Sequence, residues 1–187
     1  MNSIARSFQS VIVFVITLLA ATHMARTSLA SADSKTRVPC SSAAYREFDF
    51  WAGDWDVFDV DSASSSNSSN SKMVARAKVD LILEGCVLHE DYQGADGHKG
   101  QSFTIYDATR NTWHQSWVTN RGELLLIEGR IDHATMIMSG EDHAKGVLVR
   151  GTWKPENGNV RETAVTSTDG GKTWKPWFDL VFRPHHD

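Results

Sequence analysis

The feature that most constrains the fold is a two-residue hydrophobic alternation, which recurs in short segments from Trp51 to the C-terminal region. Between Met73 and Leu83, every second residue is apolar, and the charged residues Arg76, Lys78 and Asp80 lie between them. This period predicts strands with one buried face and one solvent-facing side. Further segments of this kind are 101–107, 112–119, 123–131, 135–139, 146–154, 159–167 and 174–183. Turn signals rich in Gly, Asn and Asp separate them, and no long stretch has a helical period.

About ten short strands in one chain of this size predict an all-β fold. Short connections favour an antiparallel up-and-down barrel over a sandwich, and closure of the barrel removes exposed strand edges. A short helical turn near residues 42–48 is expected to plug one end. Barrels of this strand number can leave room inside for a small ligand.

The N-terminal segment predicts a secretory signal peptide over residues 1–32. Arg6 precedes an apolar run, 11–21, which is shorter than the roughly 20 residues that span a bilayer, and Ala30-Ser31-Ala32 has the form of a cleavage site. The mature domain would be 33–187, exported to the periplasm or secreted, with no stable membrane anchor after cleavage. Cleavage after Ala30 and an uncleaved anchor are the alternatives.

Charge and cysteine content narrow the partners and the compartment. The chain has a net charge of −4, and the first 32 residues contribute two arginines and no acid. An acidic body without a basic stripe argues against nucleic acid as a partner. Cys40 and Cys86 are the only cysteines. In an oxidising compartment an even count favours a disulfide between them, with two buried thiols as the alternative.

Several motifs resemble those of the lipocalin (calycin) superfamily. Gly53-x-Trp55 opens the first predicted strand within FDFWAGDWDV, and EGC, GxSxxxYD and WxxxWV follow in order. The whole pattern is similar to a group of exported bacterial lipocalin-like proteins of unknown function. The resemblance implies that Trp55 closes one end of the barrel under Arg183, in a cation–π contact. It implies a fold and a compartment but no reaction.

A further motif, Ser167-x-Asp169-x-Gly171-x-Thr173-Trp174, has the form of the Asp box of sialidases. Its Ser and Asp side chains are suited to cap backbone N–H groups of a tight turn. Sialidase propellers repeat this motif in much longer chains, so a single copy here predicts a structural turn rather than a glycosidase.

The candidate ligand-binding residues lie on one face of the strand 112–119. Trp113, Gln115 and Trp117 would line a cavity suited to an apolar or aromatic ligand with one polar group. Filling of the barrel core by both indoles is the favoured alternative. Four further candidates in nearby strands are Met136, Met138, Arg150 and Arg161. Packing for the methionines and outward ion pairs for the arginines are the favoured alternatives.

The sequence contains weak catalytic candidates but no complete catalytic motif. Glu128, Glu162 and His114 could act as general acids or bases if they were enclosed, although solvent-facing positions are favoured for the two acids. Haem binding through His89 or His114 is an alternative without a supporting ligand set. No cofactor and no metal site is predicted.

These features favour an exported barrel that binds a small apolar or aromatic molecule. A barrel enzyme with an interior carboxylate or histidine is the first alternative: an isomerase, a cyclase or a hydrolase. A filled barrel that binds a protein partner on its outer surface is the second. The sequence favours a binding protein over an enzyme and leaves the oligomeric state open.

Overall fold

A computed structural model describes residues 39–60 and 72–186 of the chain. These residues belong to one compact unit, Arg37–Asp187. The predicted signal peptide and the Ser/Asn tract 62–71 lie outside the described residues. The strands are β1 Gly53–Asp59, β2 Lys72–Ile82, β3 Val87–Gly94, β4 Lys99–Asp107, β5 Thr112–Thr119, β6 Leu124–Asp132, β7 Thr135–Asp142, β8 Val147–Glu156, β9 Asn159–Ser167 and β10 Lys175–Pro184.

The ten strands form a closed antiparallel barrel in which each strand pairs with its neighbours in sequence. The first and last strands close it, with Trp55 opposite Pro184 and Val57 opposite Phe182. This confirms the predicted all-β up-and-down barrel. Closure works because side chains alternate in direction along each strand, so that one half of them forms a continuous inner wall.

One end of the barrel is closed by two short 3₁₀ turns, Ala43–Arg46 and Asp49–Trp51. Phe48 lies between the two turns and stacks on Trp51 with ring centroids 5.1 Å apart, and both side chains are buried. The Trp55 indole N–H donates to the Trp51 carbonyl over 3.0 Å. This confirms the predicted helical plug. We call this end, defined by Phe48, Trp51 and Trp55, the closed end, and the opposite end the distal end.

A disulfide joins Cys40 to Cys86, as predicted, across 46 positions of the sequence. Cys86 directly follows the 3₁₀ turn Leu83–Gly85 that leads from β2 to β3. The segment before the plug is therefore linked covalently to the β2–β3 connection.

The structure corrects the predicted partner of Arg183. Its guanidinium lies 4.3 Å from the ring centroid of Phe58, and Arg183 is opposite Asp56 in the β1–β10 register. Those residues face outward, whereas the buried Trp55 points into the barrel. The Gly-x-Trp motif has a different local reason: a Cβ at Gly53 would lie 2.6 Å from the Trp55 ring, so glycine lets the indole lie against its own strand.

The segment 167–174 forms a hydrogen-bonded turn between β9 and β10. Asp169 accepts hydrogen bonds from the backbone N–H groups of Lys172 and Thr173, and Ser167 accepts one from Gly171. The Trp174 indole N–H donates to the Gly171 carbonyl. These contacts have the form of the turn that the motif predicts.

Candidate functional site

The predicted face Trp113–Gln115–Trp117 points into the barrel. Trp113 and Gln115 are buried, and Trp113 packs edge-on against Phe48 with ring centroids 5.8 Å apart. Met136 and Met138 are fully buried in the same core cluster. Three of the candidates, Trp113, Met136 and Met138, therefore fill the core near the closed end, as in the packing alternative. Trp117, further towards the distal end, is only partly buried.

A polar layer crosses the inner wall beyond this core. The Gln115 amide donates to the Thr104 hydroxyl over 3.0 Å, and the Ser102 hydroxyl donates to the Glu90 carboxyl over the same distance. All four residues are buried. The register explains the layer, because Glu90 is opposite Ser102 and Thr104 is opposite Gln115. Inward-facing polar residues are therefore aligned on three adjacent strands.

Glu162 lies on the opposite part of the inner wall, on β9. In the register it is opposite Trp153 of β8 and Leu180 of β10. Burial is the main cause that raises the pKa of Glu162 well above its usual range, and the charge of Glu90 raises it further. The carboxyls of Glu162 and Glu90 are therefore close enough inside the barrel for their charges to interact. Glu162 is thus inside the barrel, so the favoured prediction of a solvent-facing position is wrong for this acid.

Burial also raises the pKa of Glu90 to about 7, although the Ser102 hydrogen bond and the nearby Asp91 charge act on it in opposite directions. Tyr92 is close to both acids: burial and then the charges of Glu162 and Glu90 raise its pKa to about 12. These three groups share one interior environment that disfavours negative charge.

The inner wall becomes more accessible towards the distal end. Five inward-facing residues there keep intermediate accessibility, in contrast to the solvent-excluded core at the closed end. They are Tyr92, Trp117, Leu125, Phe178 and Leu180. Trp117 lies over Gly100, where a Cβ would come within 2.2 Å of the indole, and its ring is 5.9 Å from that of Tyr92. Partly accessible aromatic rings thus lie beside the two interior carboxyls.

The sequence reasoning missed Glu90, Ser102 and Thr104. The sequence does indicate the position of Glu90, because it lies between Leu88 and Tyr92 at alternate positions of one strand. If Leu88 and Tyr92 face the interior, Glu90 faces it too. An acid at an inward position was not recognised because the neighbouring His89 and Asp91 are also polar. The register between strands, which shows Glu90 opposite Ser102, is a tertiary property.

Both arginine candidates face outward. Arg161 forms an ion pair with Asp179 at 2.5 Å, and the Arg150 guanidinium lies 4.2 Å from the ring centroid of Trp174. The outward alternative is therefore correct for both, and the prediction that they line the cavity is wrong. His89 also lies on the outer wall, against Phe103 with ring centroids 4.9 Å apart. It is not placed to hold a haem inside the barrel.

His114 and Glu128 come together, but on the outer wall. The Nδ1 atom of His114 is 3.1 Å from the Glu128 carboxyl, and its Nε2 atom is 3.0 Å from the Ser116 hydroxyl. Arg110 donates hydrogen bonds to the Glu128 carboxyl from the other side and lowers the pKa of that carboxyl. Ser116, His114 and Glu128 are connected in the same order as a Ser–His–acid catalytic triad. An oxyanion hole beside Ser116 would need free backbone N–H groups, but β5 is paired with both β4 and β6 here, so these groups are used in the sheet. The arrangement therefore lacks the anion-stabilising part of such a catalytic site. Glu128 therefore faces solvent, which is the favoured alternative for this residue.

The outer wall of β4–β6 also carries an apolar patch. Its members, 39–57% exposed, are Phe103, Ile105, Val118, Leu124 and Leu126. Beside it, a shallow open groove of about 350 Å³ runs along the distal ends of β3–β5 and is lined by polar residues such as Gln93 and Asn120. Neither feature contains a buried polar group.

The residues described, 39–60 and 72–186, contain no group of three or more His, Cys, Asp or Glu side chains arranged to hold a metal ion. Within the same part of the chain, no helix is long and apolar enough to cross a membrane. Comparison with protein-family models gives no match, and comparison with curated proteins finds no significant relative.

Proposed function

We propose that this protein is an exported, lipocalin-like carrier that binds one small, mostly apolar or aromatic molecule inside the barrel, from the distal end. The observation that carries the proposal is the gradient along the inner wall. Trp113 and Met136 are solvent-excluded, whereas Tyr92, Trp117 and Leu180 are partly accessible. Apolar pockets with a few convergent polar groups are the usual sites of small-molecule binding. The disulfide supports export, because such bonds persist in oxidising compartments.

The interior can distinguish a ligand by shape and by polarity. Trp117 and Tyr92 offer flat apolar surfaces, and the polar layer of Gln115, Thr104 and Glu90 would orient one polar group. Hydrogen bonds in such an enclosed place contribute to specificity because an unmatched polar group there is costly.

A direct test is titration with the neutral dye N-phenyl-1-naphthylamine, with native mass spectrometry of the purified protein to find a bound molecule. We expect dye fluorescence to rise with 1:1 stoichiometry. Trp117→Ala should weaken dye binding at least fivefold, because it removes a main aromatic surface of the inner wall. Leu126→Ala, on the outer wall, is the matched control and should leave the affinity unchanged.

Weakening by Leu126→Ala but not by Trp117→Ala would place the dye on the outer apolar patch and contradict the proposal. No dye binding and no mass adduct would contradict it as well. Far-UV circular dichroism and the unfolding midpoint establish that each variant is folded before its affinity is compared.

The second candidate function is acid–base catalysis by the same interior carboxyls. The raised pKa values of Glu90 and Glu162 favour it, since a general acid or base works best when its pKa is near the working pH. A ligand identified by mass spectrometry separates the two functions. Its conversion by the native protein but not by Glu162→Gln, with binding retained in that variant, would favour the enzyme.

A further inference from the structure

Two carboxyls share the barrel interior without a cationic partner. Among the described strands, every Lys and Arg lies on the outer wall or at a rim of the barrel. Glu90 accepts one hydrogen bond, from Ser102. Glu162 accepts none of normal geometry from the described residues, yet it keeps intermediate accessibility inside the barrel. Burial of a carboxylate is costly unless a positive charge or several donors compensate it.

The Trp153 indole presents a buried donor to the same site. Trp153 is 3% exposed, and its N–H has no hydrogen-bond partner of normal geometry among the described residues. It is directed towards the Glu162 carboxyl from a longer distance and partly offsets the increase in the pKa of that carboxyl. A buried donor without a well-placed partner is uncommon in folded proteins. This one is placed to stabilise Glu162 in its ionised form, the form that a positively charged ligand would require.

From this arrangement we infer that the ligand is an organic cation: an amine carried on an apolar or aromatic body, with its ammonium group held between Glu162 and Glu90. The inference rests on the proposed function and specifies its ligand class. The rings of Tyr92 and Trp117, partly accessible beside the carboxyls, would face the ammonium group or stack on the aromatic body. Cations bind favourably over the faces of Trp and Tyr rings.

The same arrangement disfavours the opposite class of ligand. A fatty acid or other apolar carboxylate would bring a third acidic group into an interior in which the described residues place no Lys or Arg. Its carboxylate would lose its hydration without gaining an ion-pair partner, which is costly. Neutral ligands would bind through the apolar wall alone and gain nothing from Glu162.

Binding of the amine replaces protons held by the interior carboxyls. Burial raises the pKa of Glu162 well above its usual range and that of Glu90 to about 7, so the ligand-free interior holds more protons near neutral pH than two exposed carboxyls would. When the ammonium group enters, the O–H bond of the carboxyl that it pairs with breaks, the proton passes to the buffer, and the carboxylate pairs with the ammonium ion. Amine binding at pH 7 is therefore accompanied by proton release.

The titratable groups that face this site come from several elements. Glu90 and Tyr92 project from β3, and Glu162 projects from β9. The charge of Asp96, in the β3–β4 turn, raises the pKa of Tyr92. The negative charge of Asp91, on the outer side of β3, raises the pKa of Glu90. His98, near Tyr92 at the distal rim, is 3.6 Å from Glu123.

The experiment compares three indoles of similar size by isothermal titration calorimetry: tryptamine, neutral 3-ethylindole and indole-3-propionate. Phenethylamine and octylamine extend the amine series. We expect at least one amine to bind tenfold or more tightly than 3-ethylindole at pH 7.5, and indole-3-propionate not to bind. Amine affinity should rise between pH 6 and pH 8.5, while that of 3-ethylindole stays constant. Titrations in phosphate and in Tris measure the released proton from the difference in heat.

Glu162→Gln should reduce amine affinity at least tenfold, reduce proton release and leave 3-ethylindole binding unchanged. Glu90→Gln is a second variant for the case that Glu162→Gln does not fold, with the same direction of change. Glu141→Gln, on the exposed outer wall of β7, is the matched control and should change nothing.

The outcomes separate this inference from the proposed function. Binding of 3-ethylindole or the naphthylamine dye without any amine preference overturns the cation inference and leaves interior binding intact. Binding of indole-3-propionate at pH 7.5 overturns it as well. If no probe or dye binds, both are wrong.

Discussion

At the scale of single residues, Glu90 determines how the stability of the barrel depends on pH. Its pKa rises from 4.5 to about 7 in the folded chain. The folded protein therefore binds more protons than the unfolded chain between these values, and its stability falls as the pH rises through this window. A shift of this size corresponds to about 3 kcal/mol. Glu162 acts in the same direction.

Glu90→Gln should remove the share of that dependence that Glu90 contributes, while the share of Glu162 stays. We expect its free energy of unfolding to be close to that of the native protein at pH 5 and higher by up to about 3 kcal/mol at pH 8. Urea unfolding followed by circular dichroism at both pH values measures the difference. Glu141→Gln, whose side chain is exposed, serves as the comparison. Parallel pH curves for native protein and Glu90→Gln would show that the carboxyl is not enclosed.

The residue scale also shows where sequence reasoning ends. Alternation correctly placed Trp113, Gln115 and Trp117 on one face, because period two alone decides which side chains share a face. The same pattern did not distinguish Glu128, which is outside, from Glu162, which is inside. Which of the two faces of a strand points inward depends on its neighbours in the sheet.

At the scale of elements, strands β4 and β5 depend on a glycine. A Cβ at Gly100 would lie 2.2 Å from the Trp117 ring, so the indole occupies the space that a side chain would take. Gly100→Ala should displace Trp117 and destabilise the protein by about 1–3 kcal/mol, as overpacked sites do. It should also weaken binding of the naphthylamine dye. Gln101→Ala, at the next position and exposed, tests whether the effect is specific to the inward face.

Most strands and turns could be predicted from the sequence, because the turns that connect the strands are formed by neighbouring residues. The turn at 167–174 could be recognised because Ser167 and Asp169 form its hydrogen bonds locally. The contact of Arg183 with Phe58 could not, because it joins the two strands that close the barrel. Local chemistry is encoded within a few residues, whereas contacts across the closure depend on the register of the whole sheet.

At the scale of the whole molecule, the disulfide and the candidate site lie at different ends of the barrel. Cys40–Cys86 secures the segment before the plug, whereas Trp117 and Tyr92 line the distal part of the interior. Cys40→Ser/Cys86→Ser should lower the free energy of unfolding by about 4 kcal/mol, because a loop of this length is no longer closed in the unfolded chain. If the distal interior is the binding site, dye affinity at 20 °C should stay within twofold of the native value. Denaturant unfolding and dye titration of the same preparation measure both quantities. A large loss of affinity in a variant that is still folded would instead place the ligand against Phe48 and Trp51, at the closed end.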